Sequence, residues 1–326
     1  MLSATKPNPN LFARNHLLRD ASYQAVYDAM RVDESVHLFG EGARVKVQYD
    51  APKIEADFLH RVHTLPISED GNTNFCVGAA IAGVKPIVDI ISADFLYRTM
   101  DSICNTAAKL NFVSGREHTI VVRAEFLLGG PTTGQRPEAM LMHVPGLRVV
   151  IPSTPRDSYG LMRTALETPG VTVFFEDRMI ADSGFFTDSD QYTGDRMPFG
   201  RLEWRVRDPS ASVTVLAYGL MRQRAEAAIK TNNLRANLYD LRSIAPLDVE
   251  GILDAVRRTR SLLIVEPDVV TAGVGAEIAA GVAERMPGVR IRRLGAPYRT
   301  IPASMALHDG MLPTEEEITD AICRVA

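Results

Sequence analysis

The segment Thr64-Leu65-Pro66-Ile67-Ser68-Glu69-Asp70-Gly71 sets a carboxylate in a loop bounded by proline and glycine, directly before the small apolar run Cys76 to Gly83. A carboxyl so placed can be held out of water and aimed at a ligand. The same residues also allow a structural reading, with Ser68 or Asp70 capping the helix that follows and Glu69 near its positive end. Other chemical signals are weak. There is no GxxxxGK[ST] loop, no GxSxG turn and no histidine pair at metal spacing, and the seven histidines are scattered, each read as a surface or satisfied core residue. Gly273-Val274-Gly275 lacks the third glycine of a dinucleotide loop. Cys76, Cys104 and Cys323 are far apart and form no CxxC pair, so they read as buried apolar thiols rather than as a disulfide framework or zinc site.

The elements that must position Glu69 follow from apolar spacing. Strands are expected at Val36–Phe39, Val62–Thr64, Pro86–Ile91, Ile120–Val122, Val149–Ile151 and Val171–Phe174. Several are near-continuous apolar runs, the signature of strands buried on both faces of a parallel sheet. Helices are expected at Cys76–Gly83, at Ala93–Phe112 and at Pro155–Leu166, the last capped by Ser153 or Thr154. Pro66–Asn74 reads as loop. From Asp182 to Asp208 periodicity fades while Gly, Asp and Pro accumulate. Beyond it, strands at 212–218, 235–240, 262–265 and 289–294 alternate with helices. The expectation is an α/β protein of two domains, 15–185 and 209–326, each a mainly parallel sheet flanked by helices, joined by a linker over 186–208.

Bulk properties agree with such a protein. Over 326 residues, 46% are hydrophobic and 23% charged, with a net charge of −4, which gives no support for nucleic acid or an anionic membrane as partner. No apolar run reaches the ~20 residues of a membrane helix. Met1 to Asn10 lacks the basic-then-apolar layout of a secretory signal, so a reducing cytoplasm is the expected location.

Several blocks occur in a fixed order: Phe39-Gly40-Glu41; Leu65-Pro66-Ile67-Ser68-Glu69 with Gly78-Ala79-Ala80 and Gly83; Asp94-Phe95 with Asp101; Asn105-Thr106-Ala107-Ala108-Lys109; and Pro145 to Ser153. The second half adds Asp240-Leu241-Arg242-Ser243-Ile244-Ala245-Pro246-Leu247-Asp248, Val265-Glu266 and Gly273 to Ile278. In this order, over nearly the whole chain from Ser22, the sequence resembles the β-type subunit of the thiamine-diphosphate-dependent first component of 2-oxo acid dehydrogenases. The resemblance implies a transketolase-like pyrimidine-binding domain followed by a transketolase C-terminal-like domain.

It also implies roles. In that family the glutamate at the position of Glu69 hydrogen-bonds the ring nitrogen of thiamine's aminopyrimidine; sharing a proton there favours the imino tautomer, which activates the thiazolium carbon for attack on a substrate carbonyl. Ile67, Ile91 and Phe95 fall at family positions around the pyrimidine, with Phe95 stacking on the ring; for Ile91, plain core packing is an equal alternative. The diphosphate and its Mg2+ are held in the family by a GDG…N motif that is missing here, so the resemblance implies an α-type partner, an α2β2 assembly, and cofactor bound across the interface. The substrate would be a small 2-oxo acid, with a lipoyl acyltransferase as a further partner. One departure stands out. The family's substrate-side loop carries a histidine where this chain has Thr133, within Gly129-Gly130-Pro131-Thr132-Thr133-Gly134-Gln135, while Gln135 is kept. Threonine cannot relay a proton near neutrality as imidazole does, which calls acyl transfer to a lipoyl group into question. Two other readings follow, a two-subunit carboligase forming acyloins or ketols, and a non-catalytic stabilising partner; a scaffold, however, has no need of Glu69.

Overall fold

In the computed structural model, residues 17–127, 129–181 and 190–326 are described. The ends of the expected linker and first domain that fall at 15–16 and 182–189, and the Met1–Asn10 segment, lie outside these residues. The first half builds six parallel strands, β1 (Val36–Glu41), β2 (Val62–Leu65), β3 (Lys85–Ile90), β4 (Thr119–Phe126), β5 (Leu147–Val150) and β6 (Gly170–Asp177). The second half adds β7 (Glu203–Val206), β8 (Val213–Ala217), β9 (Ala236–Asp240), β10 (Ser243–Ala245), β11 (Ser261–Val269) and β12 (Arg290–Ala296). They form a seven-stranded sheet in the order β10-β5-β6-β4-β3-β1-β2 and a five-stranded sheet in the order β12-β11-β8-β9-β7.

The apolar runs lie where two-sided burial demands. All eight residues of β4 are buried, and Val121, Val122, Val173 and Phe174 are fully so. A completely buried side chain of this size contributes about 1.5–3 kcal/mol. Helix Leu17–Val32 packs on helix Pro155–Glu167 over one face of the first sheet, and helix Glu69–Ile81 lies against β3 on the other. Thr154 caps the 155–167 helix by accepting from the Asp157 amide, with Pro155 in the first turn, as expected.

Three segments differ from the sequence-based expectation. The helix expected at Cys76 begins at Glu69 and takes in most of the expected 66–74 loop. Its glycine- and asparagine-rich first turns have weak helix propensity, but Thr73 donates to the Glu69 carbonyl (2.8 Å), Asn72 to the Pro66 carbonyl (2.9 Å), and Ser102 to the Asp70 carboxylate. The long helix expected over Ala93–Phe112 is broken into a 3-10 turn (Ala93–Thr99), a π turn (Ser102–Thr106), a 3-10 turn (Ala107–Lys109) and one α turn (Leu110–Ser114). Apolar spacing alone does not distinguish these windings, and Phe112 at the far end is 94% exposed. Finally, β10 leaves the second half of the chain to pair antiparallel with β5, while β7 pairs antiparallel with β9 from within the 186–208 span. Short strands of three and four residues carry too little alternation to be seen in sequence.

Of the three cysteines, only Cys76 fits the buried reading, its thiol pushed up to about 12 by burial; Cys104 is half-buried and Cys323 exposed. All three are free.

Candidate active site

The chemistry-bearing residues leave the carboxyl ends of the parallel strands: Glu41 ends β1, Glu69 follows β2, Asp94 and Phe95 follow β3, and the 129–135 loop follows β4. In parallel α/β sheets this is where ligands bind. Close strand approach is built in at Gly40, where a Cβ would lie 2.6 Å from the Asp89 carbonyl of neighbouring β3. Beneath this end Arg123, fully buried, donates to Asp89 (3.1 Å) and to Glu176, holding three strands in register by charge-assisted bonds.

Glu69 is the first residue of its helix and is 7% exposed. Neither Ser68 nor Asp70 caps that helix: the Ser68 side chain makes no capping bond, and Asp70 accepts from Ser102. The carboxylate therefore sits at the positive end of a 13-residue helix without competing with a side-chain cap. Arg98 is its ion-pair partner, Nε to Oε2 3.4 Å, and is itself largely exposed. In the 3-10 winding of 93–99, residues three apart eclipse, so Phe95 and Arg98 share one edge of the turn. Glu41 comes close from β1, accepting from the Ser68 amide at 3.1 Å; burial, and then the charge of Glu69, push the Glu41 carboxyl above its ordinary value.

Asp94 organises the neighbouring loop. Its carboxylate accepts from the Ser92 hydroxyl (2.7 Å), the Gly134 amide (3.1 Å) and the Gln135 amide (2.8 Å). Behind the loop, Arg136 donates to Glu138 (2.9 Å) and Asp177 (3.4 Å), and its guanidinium lies 3.6 Å from the Phe126 ring centroid. Thr133 is half-buried and turned back into its own loop, donating to the Gly129 carbonyl. The Gln135 side chain is exposed.

The sequence-derived set is thus only partly gathered. Glu69 and Phe95 lie on packed elements, Phe95 half-buried against the main core. Ile67 is 84% exposed, two residues before Glu69, and Ile91 is half-buried at the exit of β3. Sequence reasoning gave no role to Glu41, Arg98 or Asp94; Asp94 and Glu41 stood inside quoted blocks, whereas nothing in the sequence marks Arg98. The Gly273-Val274-Gly275 pattern has a plain cause. Cβ atoms on Gly273 and Gly275 would lie 2.5 and 2.6 Å from the Glu266 carboxylate, which accepts from the Gly275 amide at 3.0 Å. Among the described residues no cluster of three His, Cys, Asp or Glu could hold a metal ion, and no helix is long and apolar enough to cross a membrane.

Glu69 is thus a buried carboxylate at a helix N-terminus, two residues after the exposed Ile67. Residues 16–182 match the family described as transketolase, pyrimidine binding domain, and residues 202–318 match transketolase, C-terminal domain. The fold and both matches define a transketolase-like protein. The pyruvate dehydrogenase E1 component subunit beta of Rickettsia conorii is 30% identical, covering 94% of this chain and 97% of the relative. The mitochondrial 2-oxoisovalerate dehydrogenase subunit beta 2 of Arabidopsis thaliana is 31% identical over 99% and 92%. The acetoin:2,6-dichlorophenolindophenol oxidoreductase subunit beta of Bacillus subtilis is 29% identical over 94% and 96%. A solved inactive β4 tetramer of a split-gene transketolase shares the fold, with a TM-score of 0.79 at 19% identity over 94% of this chain and 97% of that one. The chain belongs to the family of β subunits of the thiamine-diphosphate-dependent first component of 2-oxo acid dehydrogenases.

Proposed function

We propose that this chain supplies the pyrimidine-side half of a thiamine-diphosphate site in a 2-oxo acid decarboxylating enzyme and works with an α-type partner in an α2β2 assembly. The observation that carries the reading is Glu69, buried at the start of its helix with no capping duty. When bound, thiamine diphosphate supplies the carbanion and electron sink that decarboxylation needs. Glu69 would hold a proton at its carboxylate oxygen toward the ring nitrogen, and Phe95 and Ile67 would cover the ring faces and exclude water. Ile91 would pack behind them. Glu41, with its raised affinity for protons, would limit the negative charge beside Glu69. Mg2+ and the diphosphate would fall to the partner, whose surface would also cover the exposed Ile67.

Thr133 and Gln135 would face the substrate side, held by Asp94. A second reading, a carboligase releasing acyloin or ketol, draws support from Thr133, which spends its hydroxyl inside its own loop and offers no imidazole for acyl transfer to a lipoyl acyltransferase. In this reading the substrate class is unchanged and only the acceptor differs. The free thiols fit a reducing, cytoplasmic setting. The test is to purify the chain with its α-type partner, add thiamine diphosphate, Mg2+ and candidate 2-oxo acids, and measure CO2 release together with acyl-lipoyl and acyloin products. No decarboxylation of any 2-oxo acid by an assembled, cofactor-saturated complex would refute the reading.

A further inference from the structure

The loop that lacks its family histidine rests on an imidazole from the other domain. His308, on the short helix Met305–Asp309, lies directly under Gly134: a Cβ on that glycine would come within 2.7 Å of His308 Cε1 and 3.0 Å of Nδ1. Gly134 adopts φ +102°, so both its conformation and its lack of a side chain serve this contact. The 301–308 segment meets the loop elsewhere as well: Gly130 N–H donates to the Ala303 carbonyl at 2.9 Å, and a Cβ on Gly129 would strike Met305. His308 is 5% exposed, and its Nδ1 is buried without a hydrogen-bond partner.

We infer that His308 is a positioning residue for the substrate-side loop, its imidazole propping Gly134 from below while Asp94 holds the Gly134 and Gln135 amides. This rests on the function proposed above for that loop. The imidazole acts through the backbone and does not itself reach the substrate.

The surroundings favour the uncharged ring. The charged groups facing it are Arg136 behind the loop, Asp177 at the end of β6, Asp94 after β3, and Asp309 on its own helix. Asp309 is engaged by Arg224, and Asp177 by Arg136. Burial, and next the Arg136 cation, hold the His308 pKa below the ordinary 6.5. With the folded value depressed, the seated loop keeps its full stability above about pH 6.5 and loses it progressively as pH falls below that, because only the released imidazole binds the proton readily.

Hydrogen–deuterium exchange of the full-length chain, alone and with its α-type partner, tests this without turnover. After correction for intrinsic exchange, a peptide spanning 129–136 should lose protection progressively as pH falls from 8 to 5.5, as a depressed imidazole pKa requires. Peptides from β4 and β6 should hold steady. His308→Gln, which cannot titrate, should give loop protection independent of pH, and in the assembled enzyme it should flatten the acid limb of kcat. Gly134→Ala, which displaces the ring, should expose the loop at every pH. Wild-type protection that does not change with pH, a Gln variant that follows the wild-type course, or an Ala variant with wild-type protection would overturn the inference. Because exchange is read without cofactor, a failed decarboxylase assay would count against the proposed function and leave this result standing.

Discussion

Arg98 and Glu69 meet as Nε and Oε2 at 3.4 Å, one end of the pair largely in solvent and the other nearly enclosed. The asymmetry decides what each residue is worth. An exposed cation adds ~1 kcal/mol or less to such a pair after screening, whereas the enclosed carboxylate is the group to which the proposed function assigns proton sharing.

Arg98→Gln should therefore weaken thiamine diphosphate binding by the assembled enzyme less than about fivefold, the equivalent of ~1 kcal/mol. Titration calorimetry at two salt concentrations checks this; a larger loss would mean that Arg98 contacts the cofactor.

Glu69→Gln keeps shape and hydrogen-bonding capacity but cannot share the proton. Turnover of the assembled enzyme should drop at least ~100-fold, the lower end of general acid–base contributions, with the unfolding midpoint unchanged. Near-wild-type turnover would remove Glu69 from the mechanism.

The isolated chain should bind thiamine diphosphate weakly or not at all, even with Mg2+, because the sequence lacks the GDG…N motif that holds the diphosphate and Ile67 is open. Calorimetry on the chain alone, then with its α-type partner, separates the cases. Micromolar binding by the chain alone would contradict the half-site.

Glu266 gives a pH signature for stability. Burial raises its carboxyl from 4.5 to about 7, so between those values the folded chain binds a proton that the unfolded chain releases. Stability from this group is present below about pH 4.5 and declines as pH rises through 7, by an amount on the order of 3 kcal/mol. Glu266→Gln keeps an oxygen for the Gly275 amide and should raise the unfolding midpoint at pH 8 relative to wild type. An unchanged difference between pH 5.5 and pH 8 in denaturant melts would refute this.

Gly40→Ala should cost about 1–3 kcal/mol, since its Cβ must push β1 from the Asp89 carbonyl of β3. The same shift would move Glu41 and the Ser68 amide, so cofactor affinity of the assembled enzyme should fall with stability.

The parallel strands were legible because burial on both faces writes uninterrupted apolar runs such as Ile120–Val122, and Glu69 because its motif has a fixed flank. The contacts that organise the site were not legible. Arg98 reaches Glu69 only because 93–99 winds as a 3-10 turn, which no apolar spacing distinguishes from an α-helix. Asp94 serves amides forty and forty-one residues away, and His308 reaches Gly134 from the other end of the chain. Such pairings depend on tertiary approach, and local sequence carries no trace of them. Thr133 shows the converse: its departure from the family was visible in the sequence, but the turn of its hydroxyl into the Gly129 carbonyl was not.

The pairing of β10 with β5 has a consequence for how this chain can be divided. Three residues contributed from beyond the second sheet's central strands close the border of the first sheet, with Ser243 opposite Val150 and Ala245 opposite Val149. A fragment cut between the two matched domains, for instance at residue 200, would leave the outer amides and carbonyls of β5 bare beside Val149 and Val150. An open border of that kind templates strand addition by neighbouring molecules. The amino-terminal fragment should consequently self-associate when made alone and become monodisperse when a peptide covering 240–248 is supplied in trans.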